Sequence, residues 1–140
     1  MLGAAVGSAR LHLHADFPKL QAELNTRIEI CARELVAAKL PLASTGQTPI
    51  FQAQCDSPRL AFSVAQRMKE RGFYCCICTV PAVPANHPGL RFTVSRHNHV
   101  ADIGQFVLAL LESFAEARHR LLRAAASERD DAEAQAPTRA

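Results

Sequence analysis

A long amphipathic stretch near the start of the chain is the feature that most restricts its fold. Between Phe17 and Lys39, apolar residues recur every three or four positions, which is the spacing of one helix face. These residues are Leu20, Leu24, Ile28, Cys31, Leu35 and Val36. Asp16 is placed to cap such a helix, and Pro18 suits its first turn. The spacing therefore predicts a helix over 17–39 whose apolar face packs against a core.

Three short stretches after this helix have the length and the residue types of β-strands. They are 50–54, 73–80 and 90–95. In the last of them Arg91, Thr93 and Ser95 share one face. The segment Pro81-Ala82-Val83-Pro84 cannot pair regularly, because neither proline has an N–H to donate. This segment is predicted to be a loop with a narrow range of shapes.

Two further helices are predicted among these strands. Ser57-Pro58 has the residue types of an N-cap and a first helical position, and Gly72 suits the end of that helix. Asn98 is placed to cap a final helix with a buried stripe from Ile103 to Phe114. The order is helix, strand, helix, strand, loop, strand, helix. It predicts an α+β domain in which helices pack on one face of a three-stranded sheet.

The composition divides the chain into three parts. Residues 1–15, rich in small and apolar side chains, are interpreted as the remnant of an upstream helix, and residues 16–123 as the domain. Residues 124–140 contain no aromatic residue and no Val, Ile, Leu or Met. Such a segment can bury very little surface, so a disordered tail is predicted there.

The charge and the cysteines restrict the partners and the compartment. Residues 1–123 carry 14 Lys or Arg and 9 Asp or Glu, a net charge of +5, but the arginines are scattered, which disfavours nucleic-acid binding. No apolar run approaches the roughly 20 residues of a membrane span, and no leader pattern opens the chain. The five cysteines favour a reduced, cytoplasmic protein.

Two kinds of residue cluster invite a metal-site interpretation. In Cys75-Cys76-Ile77-Cys78 a strand would point Cys75 to one face and the other two thiols to the opposite face. No second ligand pair lies at zinc-site spacing. Two histidine pairs at i, i+2 spacing also lack Cys or carboxylate support: His12 with His14 and His97 with His99. We therefore predict buried free thiols and no metal site.

Five short motifs occur in order along most of the chain: 48–51, 66–74, 81–84, 89–97 and 101–103. As an ordered set, over about Ser8 to Phe114, they resemble the C-terminal domain of class I/II aminotransferase-fold pyridoxal-phosphate enzymes. The resemblance is nearest to the α-oxoamine synthases. That family includes 8-amino-7-oxononanoate synthase, 5-aminolevulinate synthase, 2-amino-3-ketobutyrate CoA ligase and serine palmitoyltransferase.

The resemblance implies a function for a complete enzyme and a role for one residue of this chain. The enzyme would condense an acyl-CoA with an amino acid, and it would be a homodimer. Its pyridoxal phosphate would lie in a large domain, upstream or on a separate chain. The family's arginine that binds the substrate carboxylate corresponds to Arg91. A guanidinium binds a carboxylate through two parallel hydrogen bonds. A structural ion pair is the alternative role for Arg91.

The family's cofactor lysine has no clear counterpart in this chain. Lys19 and Lys69 lie on predicted helices and Lys39 at a helix end, whereas Schiff-base chemistry needs a desolvated lysine with a lowered pKa. We expect no catalytic residue and no covalently bound cofactor in this chain alone. The alternative function is that of a stand-alone, non-catalytic α+β binding module or a truncated relic of such an enzyme.

Overall fold

The computed structural model describes residues 2–43 and 48–134 of the 140-residue chain. Its elements, in chain order, are α1 (Leu2–His12), α2 (Phe17–Ala37), β1 (Ile50–Gln54), α3 (Pro58–Glu70), β2 (Cys76–Cys78), β3 (Gly89–Thr93) and α4 (Val100–Ala134). The predicted α+β class and the order of its elements are confirmed. None of the helices in the described ranges is long and apolar enough to cross a membrane.

Helix α2 buries the face that its apolar spacing predicts. Ile28, Cys31 and Leu35 are buried on that face. Asp16 occupies the N-cap position, although its side chain makes no capping hydrogen bond. The helix ends slightly before the predicted boundary, because Lys39 adopts a φ of 53° and turns the chain away.

Helix α3 begins and ends at the predicted residues. The Ser57 hydroxyl accepts a hydrogen bond from the Leu60 N–H at 3.2 Å, which satisfies one of the free donors of the first turn. Gly72 has a φ of 83°, a conformation that costs glycine little and other residues more. The capping and termination signals of this helix are therefore confirmed.

The sheet is antiparallel, and β3 lies between β1 and β2. Alternate residues of β3 point to opposite faces, so Leu90 is buried while Arg91 and Thr93 are exposed. The buried sheet face forms one core with α2, α3 and α4. The largest fully buried side chains of this core are Phe51, Leu35, Met68, Leu90, Leu110 and Val64. The helices thus cover one face of the sheet, as predicted.

Gly89 allows β1 and β3 to approach each other closely. A Cβ atom at this position would overlap the backbone carbonyl of Ala53 on the neighbouring strand. The position pairs with Gln54 on β1 and with Cys78 on β2, so a side chain there would disturb both pairings.

Two strands are shorter than their sequence patterns predict. β2 spans only Cys76–Cys78 of the predicted 73–80. Phe73 is not part of the strand, because its ring packs edge-on against the ring of Phe106, with 5.5 Å between the ring centroids. β3 ends at Thr93, two residues before the predicted end. The chain turns at Ser95, whose N–H and hydroxyl both donate to the Asn98 Oδ1.

Helix α4 differs from the prediction at both ends. Asn98 is engaged with Ser95 and does not cap the helix, which begins at Val100. At the other end α4 continues to Ala134, although a disordered tail was predicted from residue 124. Ala, Glu and Arg have high helix propensity, and extending an existing helix requires no new nucleation. Residues 135–140 of the predicted tail lie outside the described residues.

The first segment forms a helix, α1, as the interpretation of residues 1–15 requires. Its side chains from Gly3 to His12 are exposed. Whether this helix continues an upstream one stays a prediction.

Candidate functional site

Arg91 lies on the central strand of the sheet, on the face away from the helices. Its neighbours across the two strand pairs are Gln52 on β1 and Cys76 on β2. The residues on either side of it, Leu90 and Phe92, are buried. A one-residue slip of β3 would therefore bury the guanidinium and expose two apolar side chains, so the core fixes the orientation of Arg91.

A cavity of about 330 Å³ opens beside Arg91. The cavity lies beside Cys76, the first residue of β2, which pairs with Arg91. From Phe92 onward, β3 has no strand partner on this side among the described residues. Its polar lining residues are Tyr74, Cys76, Arg91, Thr93, Asn98 and Asp102. Its apolar lining residues are Cys31, Phe73, Phe92, Val94, Ile103 and Phe106. An apolar floor with a few converging polar groups is typical of a small-molecule site.

The Arg91 guanidinium is exposed and has no ion pair or side-chain hydrogen bond with the described residues. Asp102 lines the same cavity but does not approach Arg91 within ion-pair distance. The structural ion pair that was the alternative role for Arg91 is thus not formed with any described carboxylate. The guanidinium donors are free to bind a ligand.

The turn that follows β3 is attached to helix α2 at two points. The Arg27 Nε donates to the Asn98 carbonyl at 2.9 Å, and the Arg96 Nε lies 3.3 Å from the Glu23 carboxylate. Together with the Ser95 and Asn98 bonds, these contacts hold the cavity rim in one arrangement. A preformed rim lowers the ordering cost of ligand binding.

The chain that precedes β3 is attached to β1 through His87. The Gln52 side-chain amide donates to the His87 carbonyl at 3.2 Å. The Gln54 amide lies 3.1 Å from His87 Nδ1. These contacts fix the end of the proline-containing loop beside the sheet face that carries Arg91.

Four of the five cysteines are buried free thiols, as predicted, and Cys76 is exposed. Burial raises the pKa of Cys31 to about 11, of Cys55 to about 12 and of Cys75 to about 11. These three thiols therefore carry almost no thiolate at neutral pH and are poor nucleophiles.

Neither histidine pair forms a metal site with the described residues. His12 lies on α1, where its Nδ1 is 2.8 Å from the Ser8 carbonyl, and the other pair flanks the turn before α4. Within residues 2–43 and 48–134, no three His, Cys, Asp or Glu side chains come together as metal ligands.

The lysines do not provide a site for pyridoxal phosphate. Lys19, Lys39 and Lys69 are all exposed, and none of them lines the Arg91 cavity. A lysine that forms a Schiff base requires desolvation to lower its pKa. The described residues therefore do not fit this cofactor.

Comparison with known proteins identifies relatives that are longer than this chain. No protein-family model matches the sequence. The chain is 36% identical over 116 residues to a protein of Desulforudis audaxviator assigned as an 8-amino-7-oxononanoate synthase, covering 83% of this chain and 30% of that protein. It is 31% identical over 113 residues to the 8-amino-7-oxononanoate synthase of Saccharophagus degradans, covering 81% and 28%. The chain belongs to the α-oxoamine synthase family. It spans about 30% of the length of these curated relatives.

Solved structures of the α-oxoamine synthases contain the same fold. A serine palmitoyltransferase of S. paucimobilis, solved with bound pyridoxal phosphate and myriocin, matches 69% of this chain with a TM-score of 0.65 and 18% identity, over 24% of its own length. The 8-amino-7-oxononanoate synthase of Francisella tularensis matches 74% of this chain with a TM-score of 0.60 and 20% identity, over 29% of its length. At these identities the likeness establishes the fold.

Arg91 was predicted from the sequence, whereas its neighbours in the cavity were not. Tyr74 and Cys76 reach the site because β2 pairs with β3 in one particular register, and the sequence contains no local signal for that register. Asp102 could have been found, since the first turn of a helix that follows a strand lies near the end of that strand.

Proposed function

We propose that this chain is the C-terminal, substrate-binding domain of a pyridoxal-phosphate-dependent α-oxoamine synthase, and that Arg91 binds the carboxylate of the amino-acid substrate. The observation that carries the proposal is the exposed guanidinium beside a preformed cavity, with no described carboxylate as its partner. A buried or paired arginine would be unable to bind a ligand in this way.

The charges of the cavity wall favour an amino acid over a simple carboxylic acid. Arg91 supplies a planar fork for the substrate carboxylate. Asp102 supplies a negative charge on the wall of the same cavity, which attracts an ammonium group and repels a second carboxylate. The Thr93 hydroxyl adds a neutral donor and acceptor. A zwitterion complements this arrangement.

The complete enzyme would contain a large domain that binds pyridoxal phosphate, upstream of this chain or on a separate chain. The coverage of about 30% of the relatives leaves room for such a domain. The complete enzyme would condense the amino acid with an acyl-CoA as a cytoplasmic homodimer. In this proposal the described chain contributes amino-acid binding and orientation, and none of its side chains reacts.

The first step of the test is to search the coding sequence immediately upstream, and the neighbouring gene, for a cofactor domain that contains the lysine. The second step is to produce that domain together with this chain. The joint product should bind pyridoxal phosphate and release carbon dioxide from an amino acid when an acyl-CoA is added. The same product with Arg91→Ala should lose most of its amino-acid affinity.

A chain that folds as a monomer and shows no association with any such domain would contradict the proposal. In that case the stand-alone binding module would be the better description. The chain would then be expected to bind a zwitterionic or anionic ligand at Arg91 without catalysing a reaction.

A further inference from the structure

Two thiols line the cavity beside Arg91, and the amino-acid site proposed above uses neither of them. Cys76, the first residue of β2, is exposed at the rim of the cavity. Cys31, on α2, lines the same cavity but is only 1% exposed. The Cys31 thiol makes no hydrogen bond with any residue that the structure describes. The cavity therefore combines an accessible thiol with a buried, unpartnered one.

The accessible thiol faces a cation that has no partner of its own. Cys76 and Arg91 are directly opposed in the pairing of β2 with β3, which places their Cβ atoms roughly 5 Å apart. Arg91 forms no ion pair with a described side chain. The Cys76 thiol donates only a long hydrogen bond, 3.9 Å, to the Ile77 carbonyl. A molecule whose carboxylate is bound by Arg91 would thus place its next few atoms beside the Cys76 sulfur.

The rest of the cavity wall complements a small zwitterion that contains sulfur. Asp102 lines the wall and attracts an ammonium group. The floor includes Cys31, Phe73 and Phe106. Sulfur is polarizable and makes favourable contacts with aromatic rings, so this floor suits a sulfur atom. The volume of about 330 Å³ lies at the lower end of the range of small-molecule sites, about 300–1,000 Å³.

We propose that Cys76 is a site of reversible thiolation by small disulfides that carry a carboxylate, and that Arg91 binds this carboxylate during the exchange. Cystine and glutathione disulfide are two sources of such a group. The Cys76 thiol loses its proton to solvent, and its sulfur attacks one sulfur of the disulfide. A new S–S bond forms at Cys76, the S–S bond of the reagent breaks, and the other half leaves as a thiolate that takes up a proton. The disulfide is itself the oxidant, so the exchange requires no further reactant.

The attached group is expected to remain on Cys76 until a small thiol removes it. Burial raises the pKa of Cys31 to about 11, so Cys31 carries almost no thiolate at neutral pH and does not displace the group. Cys78 is close in sequence but is buried. The attached group occupies the space beside Arg91 and excludes a free amino acid from it. This last consequence rests on the proposed function, whereas the exchange at Cys76 does not.

The test exposes the full 140-residue chain at pH 8 to three disulfides: cystine, glutathione disulfide and the neutral bis-hydroxyethyl disulfide. Intact mass gives the rate of modification, and peptide mapping locates it. Each rate is divided by the rate of the same disulfide with a free model thiol, which removes differences in intrinsic reactivity. We expect modification of Cys76, faster with the two carboxylate disulfides than with the neutral one, and reversal by excess dithiothreitol. A preference for cystine would indicate binding through its amino-acid group, and a preference for glutathione disulfide binding through a peptide carboxylate; both support the site.

Matched variants separate the role of the guanidinium from general charge effects. Arg91→Ala should lower the preference for the carboxylate disulfides about tenfold, the effect of losing a charge-assisted hydrogen bond. Arg33→Ala removes an exposed arginine of α2 outside the cavity and should leave the preference unchanged. Cys76→Ser should abolish the modification. On the native chain, added salt should reduce the preference, because salt screens the attraction between exposed charges.

Three results would overturn the inference. The first is equal normalised rates for the carboxylate disulfides and the neutral one on the native chain. The second is an unchanged preference in Arg91→Ala. The third is modification of another cysteine at the rate of Cys76.

A separate measurement distinguishes this inference from the proposed function. In the chain produced with its cofactor domain, an excess of the amino-acid substrate should slow the exchange at Cys76. An exchange that prefers carboxylate disulfides on the native chain alone, but that the amino acid does not slow in the complex, would contradict the proposed function and support the thiolation site. The two proposals therefore fail separately.

Discussion

Cys76 lies directly opposite Arg91 in the antiparallel pairing of β2 with β3, and both side chains are exposed. Directly opposed side chains in such a pair have Cβ atoms roughly 5 Å apart. A guanidinium at this separation attracts a negatively charged reagent towards the thiol. Chemical modification of this one cysteine therefore reports on the surroundings of the proposed carboxylate site.

We predict one fast-reacting thiol among the five. At pH 8 an aromatic disulfide reagent should modify Cys76 rapidly, while Cys31, Cys55 and Cys75 react only after unfolding, because their raised pKa values leave them protonated at that pH. The reagent releases one aromatic thiolate for each cysteine that it modifies. Measuring the absorbance of this thiolate before and after adding denaturant counts the accessible and the buried cysteines.

The matched control for the thiol experiment is Cys76→Ser, which should remove the fast phase entirely. Arg91→Ala should retain the phase but slow it for a negatively charged reagent. If two or more cysteines of the native chain reacted rapidly, this result would contradict the described burial of the other cysteines.

Gly89 and Gly104 give opposite predictions for the same substitution. Gly89→Ala should destabilise the fold by about 1–3 kcal/mol, because the added methyl group overlaps backbone at Ala53. Gly104 lies inside α4, and a Cβ atom there would meet nothing within 4 Å. Gly104→Ala should therefore stabilise the fold by about 0.5–1 kcal/mol. Urea unfolding curves of both variants test the pair, and a tolerated Gly89→Ala would mean that β1 and β3 are further apart than described.

The helices could be predicted well from the sequence because their signals are local. The apolar spacing of α2, the Ser57 cap and the positive φ at Gly72 depend on residues within a few positions of each other. The extent of β2 could not be predicted in this way. Whether Phe73 extends the strand or packs on Phe106 depends on a helix that lies far away along the chain.

The composition of the final segment was misleading for a related reason. Residues 124–127, which lack large apolar side chains, are exposed or half-buried, and Ala117 is the last fully buried side chain described on α4. The same composition is rich in helix-forming residues, so α4 continues to Ala134. Burial and local order are separate properties, so a segment that lacks large apolar residues can still be helical.

Removing residues 124–140 should therefore change helicity but not stability. We predict a smaller helical circular dichroism signal at 222 nm and nearly the same melting temperature, since residues 124–127, where burial is described, are exposed or half-buried. A loss of several degrees in the melting temperature would show that the end of α4 packs against the domain.

Glu116 on α4 accepts hydrogen bonds from Arg67 on α3 and from Arg71, the C-cap residue of α3, and so connects the two helices. The hydrogen bond from Arg71, supported by the charges of both arginines, lowers the pKa of Glu116. A carboxyl whose pKa is lower in the folded state stabilises the fold above its unfolded pKa. That stabilisation is lost as the pH falls through the folded pKa.

We expect Glu116→Gln to lower the melting temperature slightly at pH 7 and to have a decreasing effect as the pH falls through the lowered pKa of Glu116 in the folded state. The effect is small because the pair is solvent-exposed and screened by salt. Glu29→Gln, at an exposed glutamate on α2, is the control for the loss of one surface carboxylate. An equal loss at pH 7 and at pH 2 would assign the effect of Glu116 to packing instead of charge.

The most consequential prediction concerns Arg91 in the enzyme assembled with its cofactor domain. Arg91→Lys keeps the positive charge but loses the two-pronged geometry, so amino-acid binding should weaken by about 1.5–3 kcal/mol. Arg91→Ala should weaken it further. Neither change should lower the melting temperature appreciably, because the guanidinium has no partner among the described residues that the fold would lose.

A structural role for Arg91 predicts the reverse pattern, with a clear drop in stability and a normal affinity for the amino acid. Arg96→Ala is the matched comparison, because Arg96 is paired with Glu23 at the cavity rim and its loss should act mainly on stability. Measuring the melting temperature and the amino-acid affinity of both alanine variants in the same preparation separates the two roles. If Arg91→Ala behaves like Arg96→Ala, Arg91 supports the sheet and does not bind the carboxylate, and the proposed substrate site must lie elsewhere.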